Sequence, residues 1–144
     1  MREILFRGKR RDNREWVFGC YYKQTEFYGD KVEPFGIMII TSSESLCYDQ
    51  ALEYYAISEK TVGQFTGLTD CGGNKLFEHD VVTAKFKSNG SRHKFKIVFK
   101  DGAFLFDNGC VAVPFNRIRS AVIIGNIHDN PELLEGERKG DGDG

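Results

Sequence analysis

Alternation of apolar and polar residues is the strongest signal in the chain, and it is concentrated between Val81 and Val113. A period of two marks a half-buried β-strand. Three dipeptides punctuate the run: Asn89-Gly90, Asp101-Gly102 and Asn108-Gly109. Each can supply the two φ > 0 positions of a type I′ hairpin turn. Read as two-residue loops, they make three successive hairpins. The first opposes Lys87 to Arg92, Phe86 to His93, Lys85 to Lys94 and Ala84 to Phe95. The second opposes Phe99 to Phe104, Val98 to Leu105, Ile97 to Phe106 and Lys96 to Asp107. The third opposes Phe106 to Val111 and Phe104 to Val113. One face then collects Val82, Ala84, Phe86, His93, Phe95, Ile97, Phe99, Phe104, Phe106, Val111 and Val113. The other collects Lys85, Lys87, Arg92, Lys94, Lys96 and Lys100, with Val98, Leu105 and Asp107. A one-residue slip would set Phe against Lys. The pattern therefore predicts an antiparallel meander with a Phe-rich core face and a basic outer face.

The flanking segments follow the same logic. "EILFRGKRRDNREWVFGCYYK" predicts a hairpin turning at "RDNR", near Asp12 and Asn13, with a loop of two to five residues. "TEFYGDKVEPFG" reads as a loop, and Ile37 to Ser43 as a strand. "LCYDQALEYYAI" stays open between a helical turn through Leu46, Gln50 and Glu53 and a strand from Tyr54 to Ile57. Ser58 can cap one turn, and Gly63 argues against a longer helix. Thr61 to Leu68 reads as a turn packed by Val62, Phe65 and Leu68. Asp70 to Asn74 is a Gly-rich bend, and Leu76 to Val82 leads into the meander. Ala121 to Ile127 predicts a buried strand, closing against the meander or the N-terminal hairpin. Asn130-Pro131-Glu132 suits the start of one helical turn before Gly136. The Gly-rich charged tail, residues 136–144, is expected to be disordered. The fold class expected is all-β: short antiparallel strands in a meander forming one or two small, partly open barrels, with minor helical turns. Residues 1–135 form a single β-rich domain or two lobes, 1–57 and 58–135.

Composition narrows function mainly by exclusion. The formal net charge is -1, so nothing pulls the whole chain toward nucleic acid or an anionic membrane. No apolar run approaches the roughly 18 residues of a membrane span. "MREILFRGKRR" is too charged for a secretory signal, and a cytoplasmic location is expected. Cys20, Cys47, Cys71 and Cys110 contain no CxxC pair, and His79, His93 and His128 are dispersed. Structural metal sites usually carry close Cys or His pairs, so free thiols, no metal and no cofactor are expected. Glu78, His79 and Asp80 are consecutive and point to alternate faces of a strand entry. They read as a turn rather than an acid–base cluster. His93, on the apolar face, reads as a packed or rim histidine. No catalytic residues emerge, and the chain is expected not to be an enzyme.

Five motifs occur in order: "FRGKR" from Phe6, "EWVFG" from Glu15, "TVGQFTGLTD" from Thr61, "LFEHDVV" from Leu76 and "VIIGNIHDNPELL" from Val122. Together they resemble the YopX family of phage and prophage proteins over nearly the whole chain. The resemblance implies a β-rich, phage- or prophage-encoded protein acting in the bacterial cytoplasm, and carries no assigned activity or catalytic residues. The family pattern resembles "IYEGD" where this chain has "LFEHD", so His79 occupies a Gly position, and His tolerates φ > 0 better than most residues.

The basic face, Lys85, Lys87, Arg92, Lys94, Lys96 and Lys100, admits two readings. One is an anion-binding surface with nucleic acid as ligand. The other, simpler one is a solvated face whose lysines deter edge pairing. Arg7, Lys9, Arg10 and Arg11 read as a charged hairpin tip, or as an extension of that face. Val98 and Leu105, with Ala112 beside them, form an apolar island for a crossing loop or an oligomer contact. Trp16, Tyr21 and Tyr22 suit either a subunit interface or the core. The function expected is a non-enzymatic binding or assembly module forming homo-oligomers, with a nucleic-acid-binding protein as the alternative. A host or phage protein is a further candidate partner, and no membrane is expected.

Overall fold

The computed structural model describes residues 3–28, 31–40 and 53–134. Cys47, the ambiguous stretch before Glu53 and the tail 136–144 lie outside them. The chain is all-β and divides into two compact units, Met1–Phe65 and Thr66–Gly144.

The first unit contains β1 (Phe6–Lys9), β2 (Trp16–Tyr28), β3 (Lys31–Ile40) and β4 (Glu53–Ile57). A 3-10 turn, Glu59–Thr61, leads into β5 (Gly63–Thr69), which crosses the boundary between the units. The sheet order is β4-β3-β2-β1-β5, and Phe6 and Arg7 pair with Gln64 and Gly63. The N-terminal hairpin forms as expected. Lys9 opposes Trp16, and Arg10 N donates to Glu15 O, which leaves "RDNR" as the loop, with Arg14 at φ 63. "TEFYGDKVEPFG" is not a loop. It is the end of a long hairpin in which Thr25 opposes Pro34 and Tyr28 opposes Lys31. The breakers misled because Pro34 lies beyond β4, whose pairing with β3 begins at Gly36. There, among the described residues, β3 has a strand on one side only, where proline is tolerated.

Gly8 shows why this sheet curls. A Cβ at Gly8 would stand 2.5 Å from Ile57 Cγ2. The missing side chain lets β4 return to β1 through the Arg10–Ile57 bridge, with Arg11 N donating to Ala56 O and Ser58 N to Lys9 O. Among the described residues a single bridge rather than a ladder joins β4 to the end of β1, and no closed barrel forms. Met38 and Ile57 are fully buried. Tyr21 is half-buried, packing at 5.9 Å from Phe6 and covering Gly36, whereas Phe18 and Tyr22 are exposed. Ser58 makes no side-chain cap. Thr61 Oγ1 instead donates to Ser58 O and accepts from Lys9 N. The expected turn from Thr61 to Leu68 is mostly strand, and Leu68 is exposed.

The second unit contains β6 (Lys75–Phe77), β7 (Asp80–Phe86), β8 (Arg92–Lys100), β9 (Ala103–Asp107), β10 (Ala112–Pro114) and β11 (Ile118–Asn126). Its five-stranded sheet has the order β10-β9-β8-β7-β11. The meander is present, but only one turn has the expected form. At Asp101-Gly102 both residues have positive φ, 52 and 81, and Lys96, Ile97, Val98 and Phe99 oppose Asp107, Phe106, Leu105 and Phe104 as expected. The other two loops are longer. Asn89 Oδ1 accepts from Ser91 N, and Asn108 Oδ1 accepts from Cys110 N and Val111 N. These side-chain turns leave only Gly90 and Gly109 with positive φ in their loops, so neither dipeptide forms a type I′ turn.

The registers consequently move by two residues. Lys85 opposes Arg92, Thr83 opposes Lys94 and Ala84 opposes His93; Val113 opposes Phe106 and Ala112 opposes Asp107. An even shift keeps each paired side chain on its face. The core is therefore the expected one: Val82, Ala84, Phe95, Ile97 and Phe106, joined by Leu76 and Ile118. Val111, expected inside, is exposed in its loop, and so is Phe99 near the strand end. β11 does not close a barrel but adds to the free edge of β7, where Val122 and Ile124 are exposed and Ile123 packs on the core. After β11, residues 132–134 make the single helical turn expected.

The Gly-rich bend is organised by Asp70, which is buried. Its Oδ1 accepts from Gly72 N and Asn74 N, both at 2.9 Å, and Oδ2 accepts from Ile123 N. Hydrogen bonding from Asn74 N, chiefly, holds this carboxyl below the usual range. A lowered folded-state value contributes stability that is full above the ordinary carboxylate range and is lost as pH falls through the folded value. Asp70→Asn is therefore expected to lower the urea midpoint at pH 7 and flatten its decline toward acid. Urea titrations at several pH values check this.

Candidate nucleic-acid interface

Register decides which cations meet. β7 lies between β8 and β11, so Lys85 has Arg92 on one side and Arg119 on the other. Directly opposed residues share a face. Arg92, Lys85 and Arg119 thus form a row of like charges across three strands. Among the described residues, none of the three makes an ion pair. Two opposed like-charge pairs cost roughly 0.2–1 kcal/mol each.

A β-bulge completes the row. The β7–β11 register slips between Arg119 and Val122, where Ser120 has φ 56. The bulge re-aims the strand and presents Ser120 O to Arg92. Arg92 Nη1 donates to Thr83 Oγ1 at 3.0 Å and to Ser120 O at 3.4 Å. That fixes the guanidinium over the sheet, while Nε and Nη2 have no partner among the described residues. A held guanidinium with a free edge suits the paired oxygens of a phosphate.

The six predicted basic residues do not act as one patch. Lys85 and Arg92 are in the row. Lys87 leaves the ladder for the following turn, where its N donates to Arg117 O. Lys94 Nζ donates to Leu133 O at 2.8 Å, spending its charge on the C-terminal helical turn. Lys96 faces Asp107, and Lys100 is exposed beside the Asp101-Gly102 turn, opposite Ala103. The expected pairs Lys87–Arg92 and Lys85–Lys94 are replaced by Lys85–Arg92 and Lys85–Arg119. Arg119 enters the row only through the β7–β11 pairing, and Arg117 of the same "RIR" lies in the 3-10 turn before β11.

The N-terminal basic cluster is not a plain charged tip. Arg7 is buried, 4.7 Å from the Trp16 ring, and Lys9 Nζ lies 5.3 Å from it. Arg10 lies over Tyr55 and bonds Asp12, whose carboxyl it holds below its usual value. Only Arg11 is exposed.

The histidines are closer than the sequence indicates. His128 Nε2 lies 3.2 Å from His79 Nδ1, and Glu78 lies 3.7 Å from His79 Nε2. The two ring nitrogens are within hydrogen-bonding distance, with donor and acceptor set by the tautomers. His79 has φ 77, as a residue in a glycine position must. Asp80 is buried and accepts from Phe77 N, which fixes the turn before β7. No group of three metal-binding side chains occurs among the described residues. Cys20, Cys71 and Cys110 are free. His93 is exposed at the rim, 5.3 Å from Phe86.

A family model described as YopX protein matches residues 5–135. The chain belongs to this family. The crystal structure of protein EF1440 from Enterococcus faecalis is similar in fold, with 23% identity over 93% of this chain and 99% of that one, and a TM-score of 0.50. A search of curated proteins finds no match. The YopX match spans both units and includes the Asp70 bend and all three cations of the row. No helix among the described residues is long and apolar enough to cross a membrane.

Proposed function

We propose that this YopX protein is a non-enzymatic binding module that takes the phosphate backbone of nucleic acid along the row Arg92–Lys85–Arg119, within the bacterial cell that hosts a phage or prophage. The observation that carries this reading is three directly opposed cations without carboxylate partners among the described residues. A sheet selected only for stability would alternate their charges. The chain as a whole is nearly neutral, so the attraction is local, and binding should fall steeply as salt screens it. Fluorescence anisotropy with a labelled 20-base-pair duplex tests this. Affinity should decline linearly in log salt, with a slope near -3 for about three phosphate contacts. Salt-independent binding, or no binding of either this duplex or a single strand at 50 mM salt, would remove the reading.

A second reading, self-assembly, is favoured by Phe18 and Tyr22, exposed on one face of β2. It predicts a defined oligomer by light scattering at micromolar concentration that Tyr22→Lys dissociates. A monomer throughout that range would count against it.

A further inference from the structure

Beyond the row, the sheet of the second unit ends in a cleft of about 400 Å³. Its lining residues are Phe86, Lys87, Ser88, Val113, Asn116 and Arg117. The composition is divided. Phe86 and Val113 are half-buried apolar groups that also pack on the core. Lys87, Ser88, Asn116 and Arg117 are exposed and polar. The volume lies in the range of small-molecule sites, where apolar walls take the body of a ligand and a few polar groups orient it.

Position relates the cleft to the row. Along the β7–β11 ladder, Lys85 opposes Arg119, Phe86 opposes Ile118, and Lys87 N then bonds Arg117 O. Two residues of strand span about 7 Å, so the Lys87 and Arg117 backbones begin one short step past the row. The row crosses the strands on the outer face, whereas Phe86, next to Lys85, turns to the core side. A phosphate backbone that leaves the row at Lys85 and Arg119 and turns over this end of the sheet would meet these two cations, with the aromatic-walled hollow on the far side. Asn116 offers both a donor and an acceptor at the same mouth.

We propose that the cleft receives one unstacked nucleobase, with Phe86 as its apolar wall, Asn116 on its polar edge, and Lys87 and Arg117 on the flanking phosphates. This rests on the reading of the row as a phosphate track and deepens it: the preferred ligand is single-stranded nucleic acid over duplex. A base held inside a helix cannot enter such a hollow, whereas a single strand can turn one out. Stacking on an aromatic group is tolerant of sequence, so the preference is for strandedness rather than for a particular base.

The test compares a labelled single strand of 12 thymidines with a 12-base-pair duplex by anisotropy at equal salt. The wild-type protein is expected to bind the single strand about tenfold more tightly. Phe86→Leu keeps an apolar side chain and removes the ring, and should erase that preference while duplex affinity is unchanged. Should Phe86→Leu misfold by circular dichroism, Ser88→Trp fills the mouth from an exposed turn and should act the same way. Equal binding of strand and duplex by the wild type, or a preference that survives both substitutions, overturns the cleft proposal alone. Failure to bind either ligand, or binding unaffected by Lys85→Glu with Arg119→Glu, overturns the row and the cleft together.

Discussion

Phe95→Ala is expected to cost about 3–5 kcal/mol, the largest single-residue effect in the molecule. Phe95 is fully buried at the centre of the second unit's core. Its ring meets Phe86 at 5.5 Å and Phe106 at 5.6 Å, both edge to face. Truncation removes the transfer free energy of the ring and leaves a cavity lined by side chains from three strands, which cannot collapse together. A domain's whole stability is about 5–15 kcal/mol, so the variant should be partly unfolded at moderate urea. Phe99 supplies the control. It lies on the same strand and the same parity, is 53% exposed, and contacts Phe104 at 5.0 Å. Phe99→Ala should cost under about 1 kcal/mol. Urea unfolding followed by far-ultraviolet circular dichroism separates the two. Equal losses would show that the core is not centred on Phe95.

Reversing charge in the row should have the largest effect on binding. Lys85 is the middle cation, flanked by Arg92 and Arg119. Lys85→Glu removes one phosphate contact and places a carboxylate between two arginines, which then satisfy it rather than the ligand. Adding Arg119→Glu should weaken duplex binding by more than about a hundredfold at 0.1 M salt and reduce the salt slope by about 2. Lys100→Glu, at the remote end of β8, should change affinity by less than about threefold. The unliganded protein should not be destabilised by Lys85→Glu, because opposed like charges become opposed unlike ones. Greater stability with lost binding is the signature of a surface kept for a ligand. Urea titrations and anisotropy on the same variants measure both halves.

The core of the second unit was legible because its alternation survives an even register error. Val82, Phe95, Ile97 and Phe106 reach the interior whether or not Asn89-Gly90 makes a tight turn. Turn type was not legible. Asn89 and Asn108 bond their own loops through side chains, and nothing local distinguishes them from Asp101, which reaches φ 52. Breakers misled around Pro34, since a proline is harmful only where a strand has partners on both sides. The buried reading of Ala121 to Ile127 failed because an apolar run looks the same at an edge as in the middle of a sheet. The site was half legible: Lys85 and Arg92 are evident from alternation, but their junction with Arg119 depends on β11 joining β7, a long-range pairing. The same pairing brings His128 to His79, 49 residues away. The YopX motifs were legible throughout because many of their residues hold backbone shape: Gly8 against Ile57, Asp70 in its bend, and His79 at φ 77.

Amide chemical-shift mapping of the labelled protein, titrated with a short duplex at low salt, tests the central claim most directly. The account predicts that the largest shifts fall at Lys85, Arg92, Arg119 and the Ser120 bulge, and that they fade together as salt rises. Shifts centred on Phe18 and Tyr22, or spread evenly over the surface lysines including Lys100, would contradict it.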